Sequence, residues 1–220
     1  EYNIIVLSDE IYSQVNFNDN TSPSMATFYP ERTFVFGGLS KVFSAGGYRL
    51  GFLKLPTELL YLHSTYRSLF SETFSAVASP VQYAAVEAYK MKSEVIEFVN
   101  LGSDILKGFS NFIYTEVSKF GIDCTSPQGS FYVMVGFNNY KEKINNLGIR
   151  TSNELSDYIL KNYKVALLPG SDFYFNKEDL FFRLAFVDFN GEEVMQHYKN
   201  QRIINKDFIK SYCPNIFNGV

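Results

Sequence analysis

Two cations, Lys41 and Arg49, stand in the otherwise uncharged stretch Gly37-Gly38-Leu39-Ser40-Lys41-Val42-Phe43-Ser44-Ala45-Gly46-Gly47-Tyr48-Arg49-Leu50-Gly51-Phe52. A lysine amine held away from water gives up its proton more readily, and the neutral form attacks carbonyl carbons. Arg49, beyond a Gly-Gly turn, can fork onto a phosphate or carboxylate. The ordinary alternative is a strand-loop-strand with two solvated cations. Upstream, Ser8-Asp9-Glu10-Ile11-Tyr12 places an acid and a phenol just past an apolar run. Downstream, Arg183 lies within Phe182-Arg183-Leu184-Ala185-Phe186. A guanidinium in such company either grips an anion or is buried against an acid such as Asp188. Asp9, on its own, reads as a strand-end turn or cap acid. Glu10 reads as solvated or as supporting a neighbour. His63 and His197 have no nucleophile near them in sequence and read as surface or packing residues.

The elements that must position these groups follow from local pattern. Residues 33–36, Thr-Phe-Val-Phe, read as a buried strand, which puts Lys41 just past a strand end, where open α/β sheets place their chemistry. Residues 3–7 are a continuous apolar run, the pattern of a strand buried on both faces of a parallel sheet. Residues 18–30 are loop with one helical turn. Residues 49–55 form a third strand stopped by Pro56, and Thr57 caps a helix through Leu59, Leu60 and Leu62. Pro80 opens a long helical region to about residue 120, with Gly102 and Gly108 as its bends. Beyond Gly121, short strands at 131–137, 165–168 and 180–186 alternate with helices at 153–163 and 191–203, as in a small α+β domain. Residues 205–220 carry weak signals. The resulting expectation is an α/β chain with one domain over 1–100, another over 101–220, and a long helix spanning the boundary.

Composition narrows the function classes. A chain of 220 residues, 46% hydrophobic and 20% charged, can bury a substantial core. Its net charge of −3 and pI near 5.5 give no reason to expect nucleic acid or an anionic membrane as partner. No apolar run reaches the length of a bilayer span. Cys124 and Cys213 are far apart, follow no metal-ligand spacing, and suit free thiols in a reducing, cytoplasmic setting.

Taken in order, Ser8-Asp9-Glu10-Ile11-Tyr12, Ser40-Lys41 with Gly47-Tyr48-Arg49-Leu50-Gly51, Pro127-Gln128-Gly129-Ser130-Phe131-Tyr132, Pro169-Gly170 and Phe182–Phe186 resemble the class I/II (fold-type I) aminotransferases, which use pyridoxal 5′-phosphate. The resemblance implies a partial large domain, with mostly parallel strands and helices, followed by a small α+β C-terminal domain. Lys41 corresponds to the residue that forms the Schiff base and moves the substrate Cα proton. Asp9 corresponds to the carboxylate facing the pyridine nitrogen, and Tyr12 to the phenol at the 3′ oxygen. Ser40 and Arg49 match phosphate-binding positions, and Arg183 matches the residue that grips the substrate α-carboxylate.

Homodimerisation and a small-molecule amino acid and 2-oxo acid as substrates follow from the family alone. Two alternatives share these residues or this fold: a pyridoxal-phosphate-dependent carbon–sulfur β-lyase, and a non-catalytic domain that keeps the fold. Gly38 stands where many relatives carry a phosphate-binding serine. The resemblance also covers only the family's C-terminal half. The other half would bring a phosphate loop, an aromatic against the cofactor ring and an asparagine at the 3′ oxygen.

Overall fold

The computed structural model describes residues 3–18 and 22–220. The chain divides into two compact units, Glu1–Ser103 and Asp104–Val220. In the first unit, β1 (Val6–Asp9) runs parallel to β2 (Thr33–Gly38), with Asp9 opposite Phe36. β3 (Gly51–Lys54) returns antiparallel to β2, with Gly51 opposite Gly38. Sheet order is β1-β2-β3, so the β-branched and aromatic Thr-Phe-Val-Phe run occupies the centre. Thr33, Phe34 and Val35 are accordingly buried. The apolar run at 3–7 is not buried on both faces as its composition suggests. Leu7 is 68% exposed, because β1 is an edge strand with β2 as its neighbour among the described strands.

Between β2 and β3 lie α1 (Leu39–Val42), one helical turn, and a 3-10 turn at Gly46–Tyr48. In the stretch 18–30, residues 19–21 lie outside the described residues; among the described ones the expected helical turn falls at Met25–Thr27. After β3, a 3-10 segment (Thr57–Leu62) leads into α2 (His63–Thr73). Pro56, not Thr57, occupies its cap position, and no side chain caps it.

The long helical region resolves into α3 (Ser79–Tyr89) and α4 (Ser93–Ser118). The break falls at residues 90–92 rather than at a glycine: Met91 adopts a left-handed φ of 48°, and Lys90 and Lys92 both pair with Glu87. Gly102 and Gly108 lie inside α4. Gly108 serves packing, since a Cβ there would sit 2.5 Å from Ile204 Cβ.

The second unit is built on an antiparallel sheet ordered β4-β5-β7-β6. Its strands are β4 (Asp123–Cys124), β5 (Tyr132–Gly136), β6 (Leu168–Pro169) and β7 (Phe181–Ala185). The helices are α5 (Lys141–Asn146), α6 (Ser152–Tyr163), α7 (Gly191–Gln201), α8 (Lys206–Tyr212) and α9 (Pro214–Gly219). α6 starts at a reciprocal capping box between Thr151 and Glu154. Phe109, Ile113, Val135, Phe182, Val194 and Ile209 form a core with almost no exposed surface.

The weakly patterned tail is part of that core. Asn205 caps α8 by accepting from the Phe208 N–H at 2.9 Å, and Phe208, Ile209, Cys213 and Ile216 are buried. Burial pushes the Cys213 thiol up to about 12, with the Glu193 carboxylate adding to the rise. This raised value favours the protonated, folded form. Its contribution to stability is present below the ordinary thiol range and is lost as pH rises towards 12. Alkylation of the native chain at pH 8 is therefore expected to mark Cys124 and spare Cys213 until the chain unfolds; equal labelling by mass spectrometry would contradict the packing of the tail.

Candidate active site

One helical turn is marginal alone, so the position of Lys41 depends on what holds α1. Leu39 is buried, and its N–H donates to the Leu50 carbonyl on the return to β3 at 3.1 Å. The Phe43 and Ala45 N–H groups both donate to the Leu39 carbonyl. The Phe43 ring meets Tyr89 edge-on at 5.2 Å, and Phe52 of β3 meets the same tyrosine at 5.4 Å. The lysine turn is thus tied to β3 by backbone and to α3 by aromatic contact.

The close approach of β2 and β3 explains Gly38. A Cβ there would lie 2.7 Å from the Leu50 carbonyl oxygen, a backbone atom with little room to move. A serine at this position does not fit the strand spacing. Gly38→Ser is expected to cost about 1–3 kcal/mol and to lower the thermal midpoint; an unchanged midpoint by calorimetry would refute this account of the glycine.

The Lys41 ammonium nitrogen lies 5.9 Å from the centroid of the Tyr12 ring, within cation–π range. Tyr12 reaches this place because the Glu10 N–H continues the β1–β2 ladder to the Phe36 carbonyl at 2.9 Å. The chain then turns, with the Ser13 N–H on the Glu10 carbonyl and the Val15 N–H on the Tyr12 carbonyl. Asp9, at the end of β1, is exposed, and its Oδ1 accepts from the Ile11 N–H at 3.2 Å. Asp9 and Tyr12 line one cavity of about 340 Å³, whose wall includes Ser8, Glu10, Met25 and Phe28. Glu10 is not a bystander: its Oε1 accepts from the Ser8 and Ser24 hydroxyls and from the Met25 N–H.

Arg49 sits at the far side of the same connection, with a left-handed φ of 53°. Its guanidinium Nη1 donates to the Gly46 carbonyl at 2.8 Å, and the side chain is exposed. A non-glycine residue held in that backbone region is uncommon and concentrates at functional sites. A Cβ built on Gly46 would lie 3.9 Å from Ser40 Cβ, so the Arg49 turn and Ser40 are close together. The first unit therefore presents an amine over a phenol, a carboxylate opening on the phenol's cavity, and a hydroxyl near an arginine turn.

Arg183 belongs to the second unit, on β7 opposite Met134 and Leu168. Its guanidinium carbon lies 4.4 Å from the Phe173 ring centroid and 5.0 Å from that of Tyr132. Its Nε is buried without a hydrogen-bond partner. The acid expected to pair with it in a structural reading, Asp188, instead accepts from the Asn215 side chain at 3.0 Å. A guanidinium clasped by two rings, with a buried donor unanswered, is suited to a planar anion. Tyr132 was visible within a motif, but the part played by Phe173 had no local signal. The histidines do not join either group: His63 is exposed, and His197 stacks on Tyr212 at 3.9 Å.

The structure of an aromatic aminotransferase from Pyrococcus horikoshii superposes with a TM-score of 0.69, covering 90% of this chain and 52% of that one at 24% identity. A Thermus thermophilus aspartate aminotransferase variant gives a TM-score of 0.71, covering 91% and 50% at 20% identity. These likenesses define the fold as that of fold-type I aminotransferases. The family model for aminotransferase class I and II matches residues 1–196, and the chain belongs to that family.

Among curated relatives, the aspartate aminotransferase of Geobacillus stearothermophilus is 32% identical over 176 residues, which are 78% of this chain and 42% of that protein. A probable aspartate/prephenate aminotransferase of Aquifex aeolicus is 33% identical over 177 residues, 79% of this chain and 43% of that protein. The chain thus spans less than half the length of these relatives. α8 and α9 lie beyond the matched residues.

Proposed function

We propose that this chain carries the C-terminal half of the catalytic machinery of a pyridoxal-phosphate-dependent aminotransferase, which moves an amino group between an α-amino acid and a 2-oxo acid. The observation that carries the reading is the Lys41 amine over the Tyr12 ring, with Asp9 opening on the same cavity as that phenol. The shares of the relatives that are matched, 42% and 43%, support the assignment to one half of a longer catalytic unit.

The donor set fits the cofactor. Asp9 would hold the proton on the pyridine nitrogen, and Tyr12 would hydrogen-bond the 3′ oxygen. Ser40 and Arg49 would hold the phosphate, Arg49 by giving up its bond to the Gly46 carbonyl. Lys41 would be the covalent anchor. When bound, pyridoxal phosphate supplies an electrophilic aldehyde and a ring that draws electrons from the bonds of the substrate Cα.

The chain's own residues do the rest. Lys41 would also be the amine that takes the Cα proton and returns it. Asp9 would set its carboxylate against the pyridine nitrogen, and Arg183 would fix the substrate carboxylate through a two-pronged contact. The family further suggests a homodimer in the cytoplasm. Incubation of the full-length protein with an amino acid and a second 2-oxo acid tests the reading. Stoichiometric exchange of the amino group is expected, whereas pyruvate and ammonia from a cysteine conjugate, without exchange, would point to β-elimination instead.

A further inference from the structure

Glu10 has two kinds of attachment that meet at the candidate site. Its backbone is the last rung of the β1–β2 pairing, through N–H to Phe36, and its carbonyl starts the turn that carries Tyr12. Its side chain reaches across to the 22–28 segment, where one carboxylate oxygen accepts from Ser24 Oγ at 2.8 Å and from the Met25 N–H at 3.1 Å. The same oxygen takes a third hydrogen bond, from Ser8 Oγ at 3.0 Å. Bonds to an ionised acceptor are about twice as strong as neutral ones, so three of them on one oxygen make a firm tie.

The tie has a geometric consequence on either side. The 22–28 segment supplies Ser22, Pro23, Met25 and Phe28 to the wall of the cavity that Asp9 and Tyr12 line. Ser24, held by Glu10, also receives the Ala26 N–H at 3.2 Å and so starts the 3-10 turn of that wall. On the near side, the bond from the Ile11 N–H to Asp9 Oδ1 closes a loop around Glu10 itself. The backbone angles that aim the Asp9 carboxylate are therefore those of the residue fixed by the three donors.

We propose that Glu10 is a positioning residue: by fastening the 22–28 segment to the end of β1 it sets the direction of Asp9 and the turn of Tyr12. Its consequence for cofactor affinity rests on the aminotransferase reading, but the positioning itself does not. Glutamine in place of Glu10 keeps an oxygen able to accept from the same donors, whereas alanine keeps none.

Hydrogen exchange on the 220-residue chain, without cofactor, reads the tie directly at two amides. In Glu10→Ala, the Met25 and Ile11 amides are both expected to exchange about 10-fold faster or more, and in Glu10→Gln both return to within about 3-fold of wild type. Acceleration at neither amide overturns the proposal, and so does acceleration at Met25 alone, which would mean that Glu10 fastens the segment without aiming Asp9. Should Glu10→Ala fail to fold, Ser24→Ala removes one donor, and a smaller acceleration at both amides is expected. The second arm titrates pyridoxal 5′-phosphate into the full-length protein by absorbance. Glu10→Ala is expected to weaken binding about 10-fold and Glu10→Gln to restore it. Unchanged affinity alongside faster exchange overturns the link to the cofactor site. A wild-type full-length protein that takes up no pyridoxal phosphate counts against the aminotransferase reading, while the exchange at Ile11 still decides the positioning.

Discussion

Lys41→Ala in the full-length protein is expected to lower kcat for amino-group exchange by at least about 10,000-fold, because on the proposed reading one substitution removes both the covalent anchor and the base for the Cα proton. The fold should tolerate it. α1 is held by Leu39, by the Phe43 and Ala45 N–H groups and by the Phe43–Tyr89 contact, none of which uses the lysine side chain. The thermal midpoint should therefore stay close to wild type. Methylamine, as an external base, is the natural rescue reagent, and partial recovery of single-turnover rate would place the defect in proton transfer. A variant with ordinary kcat would mean that the amine over Tyr12 is a surface cation, which is the plain alternative for a strand-loop-strand with a lysine.

Arg183→Lys is expected to act differently, raising KM for the amino acid about 10- to 100-fold while changing kcat much less. Lysine keeps the charge but presents a compact point charge, which cannot bond two carboxylate oxygens side by side. It also fits poorly between Phe173 and Tyr132, whose rings lie 4.4 and 5.0 Å from the guanidinium carbon and suit a flat group. The same substitution separates the two readings of this arginine. If Arg183 were merely structural, its loss would appear as a lowered melting temperature with an unaltered KM. The Nε that finds no hydrogen-bond partner argues against that role, since a buried structural arginine is ordinarily satisfied on all sides.

What could be read from the sequence was local in origin. Thr33 to Phe36 announced β2 because β-branched and aromatic residues fit a buried strand, and Lys41 was then bound to lie past its end. The amphipathic pattern over residues 153–163 likewise announced α6, whose capping box at Thr151 and Glu154 is seen in the structure. The apolar run of β1 reports a preference for burial; among the described strands β2 is its neighbour, and Leu7 is 68% exposed. Likewise, Met91 carries no signal for the left-handed backbone that ends α3, and the glycines that do carry one, Gly102 and Gly108, sit quietly inside α4.

The tail escaped notice because helices of the length of α8 and α9 are too short to display a period, although Asn205 and Pro214 stand at their starts as a cap and a first-turn proline. In the candidate site, Asp9, Tyr12, Ser40, Lys41, Arg49 and Arg183 were legible as residue types at motif spacings. Their neighbours were not. Phe173 reaches Arg183 from a separate 3-10 turn, and Ser24 reaches Glu10 across a loop, so both contacts exist only once the chain has folded.

The central claim is that Lys41 is the covalent post for pyridoxal phosphate. Reduction of the full-length protein with borohydride in the presence of the cofactor, followed by peptide mass mapping, tests it most directly. The account predicts a single pyridoxyl-phosphate adduct on the peptide that carries Lys41; an adduct confined to other lysines, or none at all, would contradict it.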